Sequence, residues 1–129
     1  MDAEIRQALQ KDRLVDITTI GRKTGQAWRK EVAIFFVDGH LYLLGTPTPP
    51  RSWYANLLAK PEFTYHLKQS IQRDLPARAT PIRDKEAKRA MILKFERGLS
   101  RRNPIDVEEW VEQSPLVEVE LLGQGEGGS

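Results

Sequence analysis

The segment Gly21-Arg22-Lys23-Thr24-Gly25 sets two cations between two glycines, with strand-like sequence on both sides. A glycine at each end permits positive φ, so that successive backbone N–H groups converge on one point, where Arg22 and Lys23 add full charges. The chemistry such a turn suits is the binding of a phosphate or carboxylate. It is not a Walker A loop, which needs a further glycine four residues before its Gly-Lys-Ser/Thr and a helix after it. Taken alone, a solvated hairpin turn accounts for these residues as well. Downstream, Arg51-Ser52-Trp53-Tyr54-Ala55-Asn56-Leu57-Leu58 follows the stiff stretch Thr46-Pro47-Thr48-Pro49-Pro50. Ser52 is a good N-cap, so a helix from Trp53 to about Lys60 is expected, with Pro61 stopping it. The free N–H groups and positive dipole end of that helix make a second anion site, beside Arg51. Trp53 and Tyr54 read as packing residues and Leu57 and Leu58 as core, whereas Asn56 must either meet solvent or bond something specific.

Other chemistries find little support. The chain has no cysteine, which removes disulfides, thiolate zinc sites and thiol nucleophiles and leaves redox work to a borrowed cofactor. His40 and His66 have no carboxylate pair or second histidine at ligand spacing and are expected at the surface, so no metal is assigned. Ser52, Ser70, Ser100 and Ser114 lack a base in any recognisable arrangement, and no catalytic side chain is assigned. With 20 Lys plus Arg against 18 Asp plus Glu the net charge is +2, too balanced to argue for nucleic acid. Cations nevertheless gather at Arg22, Lys23, Arg29, Lys30, Arg51 and Lys60, and acids at Glu108, Glu109, Glu112, Glu118 and Glu120.

The elements that must position the two anion sites follow from patterning. The length suits one domain, residues 1–122, with a flexible Gly-rich tail at 123–129. Ile5, Ala8 and Leu9 make a short amphipathic helix, expected to cap the fold rather than lie on lipid. Leu14 to Ile20 is a strand, residues 28–37 a second with both faces apolar, and Asp38-Gly39 the hairpin turn into a third at Leu41 to Leu44. Phe63, Tyr65 and Leu67 alternate with polar residues in a fourth; Leu75, Ala77 and Ala79 do so in a fifth, which Pro76 and Pro81 push to an edge or bulge. Asp84 caps a helix to about Arg101 with Ala87, Met91, Ile92, Phe95 and Leu99 as its apolar stripe. Asp106 to Glu112 is a short acidic helix, and Val117, Val119 and Leu121 mark a sixth strand. The sum is a mainly β (α+β) chain: a six-stranded antiparallel barrel that buries its own edges.

Thr19 to Gly25, the Asp38-Gly39 hairpin, and Trp53 to Pro61 with the strand after it resemble the deazaflavin (F420)-dependent nitroreductase family. That resemblance covers residues 14–83 in order and spacing and implies an FMN-binding-like split β-barrel. It further implies that Arg22 and Lys23, in the turn Gly21, Arg22, Lys23, Thr24 and Gly25, hold the phosphate and acidic tail of coenzyme F420. Arg51, Ser52, Trp53 and Asn56 would lie near it. The chain departs from the pattern in its proline loop, in Ala55, and in having no tyrosine after Tyr65, for which Trp110 is the candidate replacement in the substrate pocket. The implied activity is hydride transfer from reduced deazaflavin to a small acceptor such as a quinone, a nitro compound or an activated alkene. FMN as cofactor and a non-catalytic flavin carrier are the alternatives; nucleic-acid binding through Lys85, Lys88, Arg89, Arg101 and Arg102 ranks last. No run approaches the roughly 20 apolar residues of a membrane span, and Asp2, Glu4 and Arg6 stand where an export signal would be apolar. A cytoplasmic protein is expected, with peripheral membrane contact and a homodimer contact through the second strand and Leu93 as further expectations.

Overall fold

The structure is a computed structural model that describes residues 3–47, 52–96 and 106–123. Its strands are β1 (Leu14–Ile20), β2 (Ala27–Val37), β3 (His40–Leu44), β4 (Glu62–Leu67), β5 (Arg73–Pro81) and β6 (Leu116–Leu121). They close into an antiparallel barrel in the order β1-β2-β3-β6-β5-β4. Among the described residues four helices accompany it: α1 (Ala3–Lys11), α2 (Ser52–Ala59), α3 (Lys85–Glu96) and α4 (Val107–Gln113).

The core lies in two parts. Inside the barrel, alternation places Val15 and Ile17, Val32 and Ile34, Phe63, Tyr65 and Leu67, and Leu75, Ala77 and Ala79 on the inner face. The α1 residues Ile5, Ala8 and Leu9 are buried in the same cluster, so this helix caps the barrel as expected. Outside, Phe35 and Val37 of β2 pack with Tyr42, Leu44 and Leu116 beneath α3 and α4. Phe35 stacks on Phe95 at 4.2 Å between ring centroids. The second apolar face of β2 is therefore covered by the chain's own helices, which removes it as a dimer contact; Leu93 stays 49 % exposed.

Local chemistry explains the turns. Asp38 (φ +53°) and Gly39 (φ +80°) take the paired left-handed conformations of a tight hairpin. Pro76 is tolerated although β5 is no edge strand. Its register partner on β4 is Thr64, and its carbonyl accepts the Leu122 N–H at 2.8 Å just past the end of β6, so its missing N–H falls at the last rung of the β5–β6 ladder rather than inside it. Asp84 caps α3 through the Ala87 N–H at 2.9 Å. The stripe of α3 differs from expectation: Ala87 is exposed and Lys88 is buried in its place, beside Ile92 and Phe95. That shift by one position leaves the i, i+4, i+7 spacing intact, with a long aliphatic stem doing the covering. Leu99 and the expected helix end at Arg101 lie outside the described residues.

Charges on the outer surface are largely neutralised in place. Asp16 takes Arg29 at 2.9 Å and Lys68 at 2.8 Å, and Lys68 also reaches Glu31. Lys85 and Arg89 of α3 meet Glu112 and Glu108 of α4, so the basic helix face is a helix–helix seam rather than a nucleic-acid surface. His66 corrects the surface assignment. It is 6 % exposed, with Nδ1 2.7 Å from Asp74 and Nε2 2.6 Å from the Thr18 hydroxyl. A carboxylate only accepts, so Nδ1 carries the proton in this chain of bonds.

These contacts set a pH dependence. Lys68 foremost, then Arg29, holds the Asp16 carboxyl below its ordinary range; His66 does so for Asp74 and Arg89 for Glu108. Depressed carboxyl values contribute stability that is present above the unfolded range, about 4, and is lost as pH falls through the folded values. The melting midpoint should hold between pH 7 and 5 and drop between 4 and 3. Asp16→Asn should show a smaller drop; identical acid losses in the two proteins would remove Asp16 from the account.

Candidate cofactor cleft

The β1–β2 hairpin and the start of α2 meet at one end of the barrel. Between them is a cleft of about 210 Å³ lined by Gly21, Arg22, Lys23, Thr24, Trp28, Ser52 and Asn56. Both anion sites expected from the sequence thus open into one space, although they are separated by some thirty residues of chain.

Asn56 joins them. It sits one helical turn after Ser52, so the two share the face of α2 turned to the cleft, while Trp53 and Leu57, displaced by one position, enter the barrel core. Asn56 is only 3 % exposed. Its amide nitrogen donates to the Thr19 hydroxyl at 3.0 Å, and its Oδ1 accepts from the Arg22 backbone N–H at 3.3 Å and from the Arg22 guanidinium at 3.4 Å. A buried primary amide needs partners on both ends, and here they come from β1 and from the turn. The helix start and the cationic turn are thereby fixed to each other.

The turn works differently from the expectation. Gly25 is left-handed at φ +73°, but Gly21 is not among the positive-φ glycines. Close approach explains Gly21 instead: a methyl group there would lie 2.9 Å from the indole nitrogen of Trp28, 3.0 Å from the Thr24 hydroxyl and 3.3 Å from the Gln26 carbonyl. Three of the turn's five N–H groups are also bonded within the protein. Gly21 donates to Gln26 at 2.7 Å, Gly25 to Gly21 at 2.9 Å, and Arg22 to Asn56. The turn spends these three donors on its own shape, and the side-chain charges of Arg22 and Lys23 remain for an anion. Among the described residues no carboxylate pairs with Arg22 or Lys23, in contrast to Arg29, which turns outward to Asp16. Unneutralised cations at the rim of a concave, largely apolar space attract an anion more strongly than the same charges on an open surface.

The remaining expected residues fall as follows. Trp53 is 6 % exposed and stands in the core, where its ring closes on Gly45, rather than in the lining. Leu57 is core, but Leu58 is 42 % exposed, because the inward face of α2 is the one that carries Trp53, Asn56 and Leu57. Gly25 shapes the turn without lining the cleft, and Arg51 lies outside the described residues. Trp110 does not reach this cleft; it borders a shallow acidic depression with Pro47 and Glu109. Trp28 is the residue that sequence reasoning missed. The available signal was an aromatic at the start of a strand just past the turn, opposite Thr19 in the hairpin register and hence on the cleft's face.

Gly21→Ala tests this geometry. The added methyl meets the far end of an exposed side chain, so folding should cost only about 1 kcal/mol. Trp28 should be pushed aside, seen as a change in tryptophan emission with the melting temperature lowered by only about 3–5 °C. An unaltered spectrum would mean that the indole does not rest on Gly21.

A closed six-stranded antiparallel barrel with helices at its mouth, and a cation-lined cleft between a hairpin and a helix start, is the architecture of an FMN-binding-like split β-barrel. The model of the F420H2-dependent quinone reductase family matches residues 1–97, and the chain belongs to that family. It is an F420-dependent oxidoreductase, and the residues of the cleft fit the acidic end of that cofactor. No curated protein matches the chain in sequence. Among solved structures, a FAD-binding protein from Mesorhizobium loti is 16% identical with a TM-score of 0.68, covering 95% of this chain and 89% of its own. The conserved hypothetical protein Rv2991 from Mycobacterium tuberculosis is 18% identical with a TM-score of 0.69, covering 95% and 81%. A third, described as a domain-swapped dimer, is 20% identical with a TM-score of 0.56 over 84% and 80%. At these identities the likeness is one of fold.

Proposed function

We propose that this chain transfers hydride from reduced F420 to a quinone, and that Arg22 and Lys23 grip the phosphate and acidic tail of the cofactor while Ser52 and Asn56 border the same site. The observation that carries this reading is the meeting of unpaired cations with the start of α2 in one cleft, locked by the bonds of Asn56. The bound deazaflavin supplies the hydride. The protein's part is to hold the anionic handle, to orient what is attached to it and to leave the reacting face open, a task that needs no acid or base among the side chains. A cleft of about 210 Å³ is smaller than the ~300 Å³ at which pockets begin to enclose a drug-sized ligand. It accommodates the handle and leaves the ring outside.

The test is a single-turnover measurement in which enzyme-bound reduced F420 is mixed with quinones, nitroaromatics and activated alkenes. Quinones should oxidise it fastest. Faster oxidation by nitroaromatics would reassign the acceptor, and inertness toward all of them would leave a carrier. FMN carries a single phosphate that also suits the cleft, and titration of both cofactors side by side should favour F420. Among the described residues no helix is long and apolar enough to cross a membrane. Homodimerisation has support from the domain-swapped neighbour and from exposed Leu93, and sedimentation at micromolar concentration decides it.

A further inference from the structure

Trp28 is anomalous among the aromatic residues. It is 58 % exposed, whereas Trp53, Tyr42, Tyr65, Phe63 and Phe95 are all buried. It lines the cleft beside Arg22 and Lys23, and its indole nitrogen lies over Gly21, at the floor of the cationic turn. Among the described residues neither a hydrogen-bond acceptor nor another ring engages it. An indole N–H is a donor only, and a large flat apolar face left in water beside it gains from being covered.

Position and chemistry agree. Trp28 is held on the cleft's face by its register with Thr19, the same residue that bonds Asn56, so the strand that carries the indole is tied to the residue that fixes the turn. A glycine at position 21 is what allows the ring to come so close to the turn backbone. Because the cleft is too small for a whole cofactor, a larger ligand whose anionic group enters it extends over the neighbouring surface. The indole, part of the lining and exposed, offers such a surface.

Resting on the reading of the cleft as the cofactor's anion site, the geometry points to Trp28 as a specificity-determining residue. Its Nε1–H donates to the anionic group held by Arg22 and Lys23, and its ring packs against the segment of the ligand that carries this group. The cleft is thus selective for an anion attached to a flat or extended organic portion, over a bare inorganic anion of equal charge.

The experiment is deazaflavin fluorescence anisotropy with the parent chain, Trp28→Phe, Trp28→Ala and Lys23→Ala, each at low and high salt, with inorganic phosphate as competitor. Trp28→Phe keeps a ring and loses the donor, and should weaken binding about tenfold. Trp28→Ala loses both, and should weaken it about a hundredfold. Because the indole is neutral, both losses should persist at high salt, while the Lys23→Ala loss shrinks. Phosphate should compete poorly with the parent. If both Trp28 variants bind within twofold of the parent while Lys23→Ala is weakened, Trp28 has no such role and the cofactor reading stands. If all the variants bind as the parent does, the cleft is not the cofactor site and both readings fall. Losses at Trp28 that shrink with salt in step with Lys23→Ala would mean only a disturbed turn, and would also overturn the proposal. Circular dichroism melts of Trp28→Phe, in which a ring still covers Gly21, establish that a folded protein is being compared.

Discussion

Asn56→Ala should lower the melting temperature by about 10 °C and at the same time weaken cofactor binding. Removing the amide strips the Thr19 hydroxyl, which is 1 % exposed, of its donor and the Arg22 N–H of its acceptor. Leaving such groups unsatisfied, together with the small void, costs about 2–3 kcal/mol, and a chain of this size loses some 3–5 °C per kcal/mol. The binding loss has the same origin, since the turn and the helix start would no longer be held in register. Thermal melts of Asn56→Ala, Thr19→Val and the double variant provide the check. The double variant should be less destabilised than the sum of the singles, because the second substitution removes a group already orphaned by the first. Melting of Asn56→Ala within 2 °C of the parent would show that the amide is not the fastener described above.

The second large effect concerns charge. Replacing Arg22 and Lys23 together by alanine should reduce F420 affinity about a hundredfold at low ionic strength, as two charge-assisted contacts are lost. The deficit should narrow as salt is added, since screening weakens what the parent gains from these charges. Stability should scarcely change. Neither side chain takes part in an ion pair among the described residues, and the N–H bonds that shape the turn belong to the backbone. Isothermal titration at two salt concentrations would show it. An affinity loss that stayed constant with salt would point to a collapsed turn instead of missing charge.

Much of the barrel could be read from the chain because its signals are local. Asp38-Gly39 specifies a hairpin by its own φ preferences, and Leu75, Ala77 and Ala79 specify an inward face by alternation. The two candidate segments were legible for the same reason, as a cationic turn and a helix start each announce themselves within a few residues. Their convergence is a property of the closed barrel and has no local trace. It depends on β1 lying beside both β2 and β4, with α2 crossing above. His66 was misjudged because alternation gives the side of a strand and not what lies over it: outward-facing on β4, it is roofed by a polar layer that includes Asp74 and Thr18. Gly21 was assigned to the wrong cause. A glycine required by a neighbour's bulk looks, in one dimension, like a glycine required by torsion, and only the position of Trp28 separates the two.

The family signature ends at residue 97, whereas the last stave of the barrel is β6, which lies beyond it and pairs with β3 on one flank and β5 on the other. The part of the chain that the signature covers is consequently incomplete as a folded object. A chain halted before Leu116 would carry every cleft residue yet present two raw sheet margins with open backbone bonds and bare apolar side chains, the condition that invites strand-to-strand clumping. During synthesis the cleft segments emerge first and wait, unsealed, for the hoop to be finished from the far end.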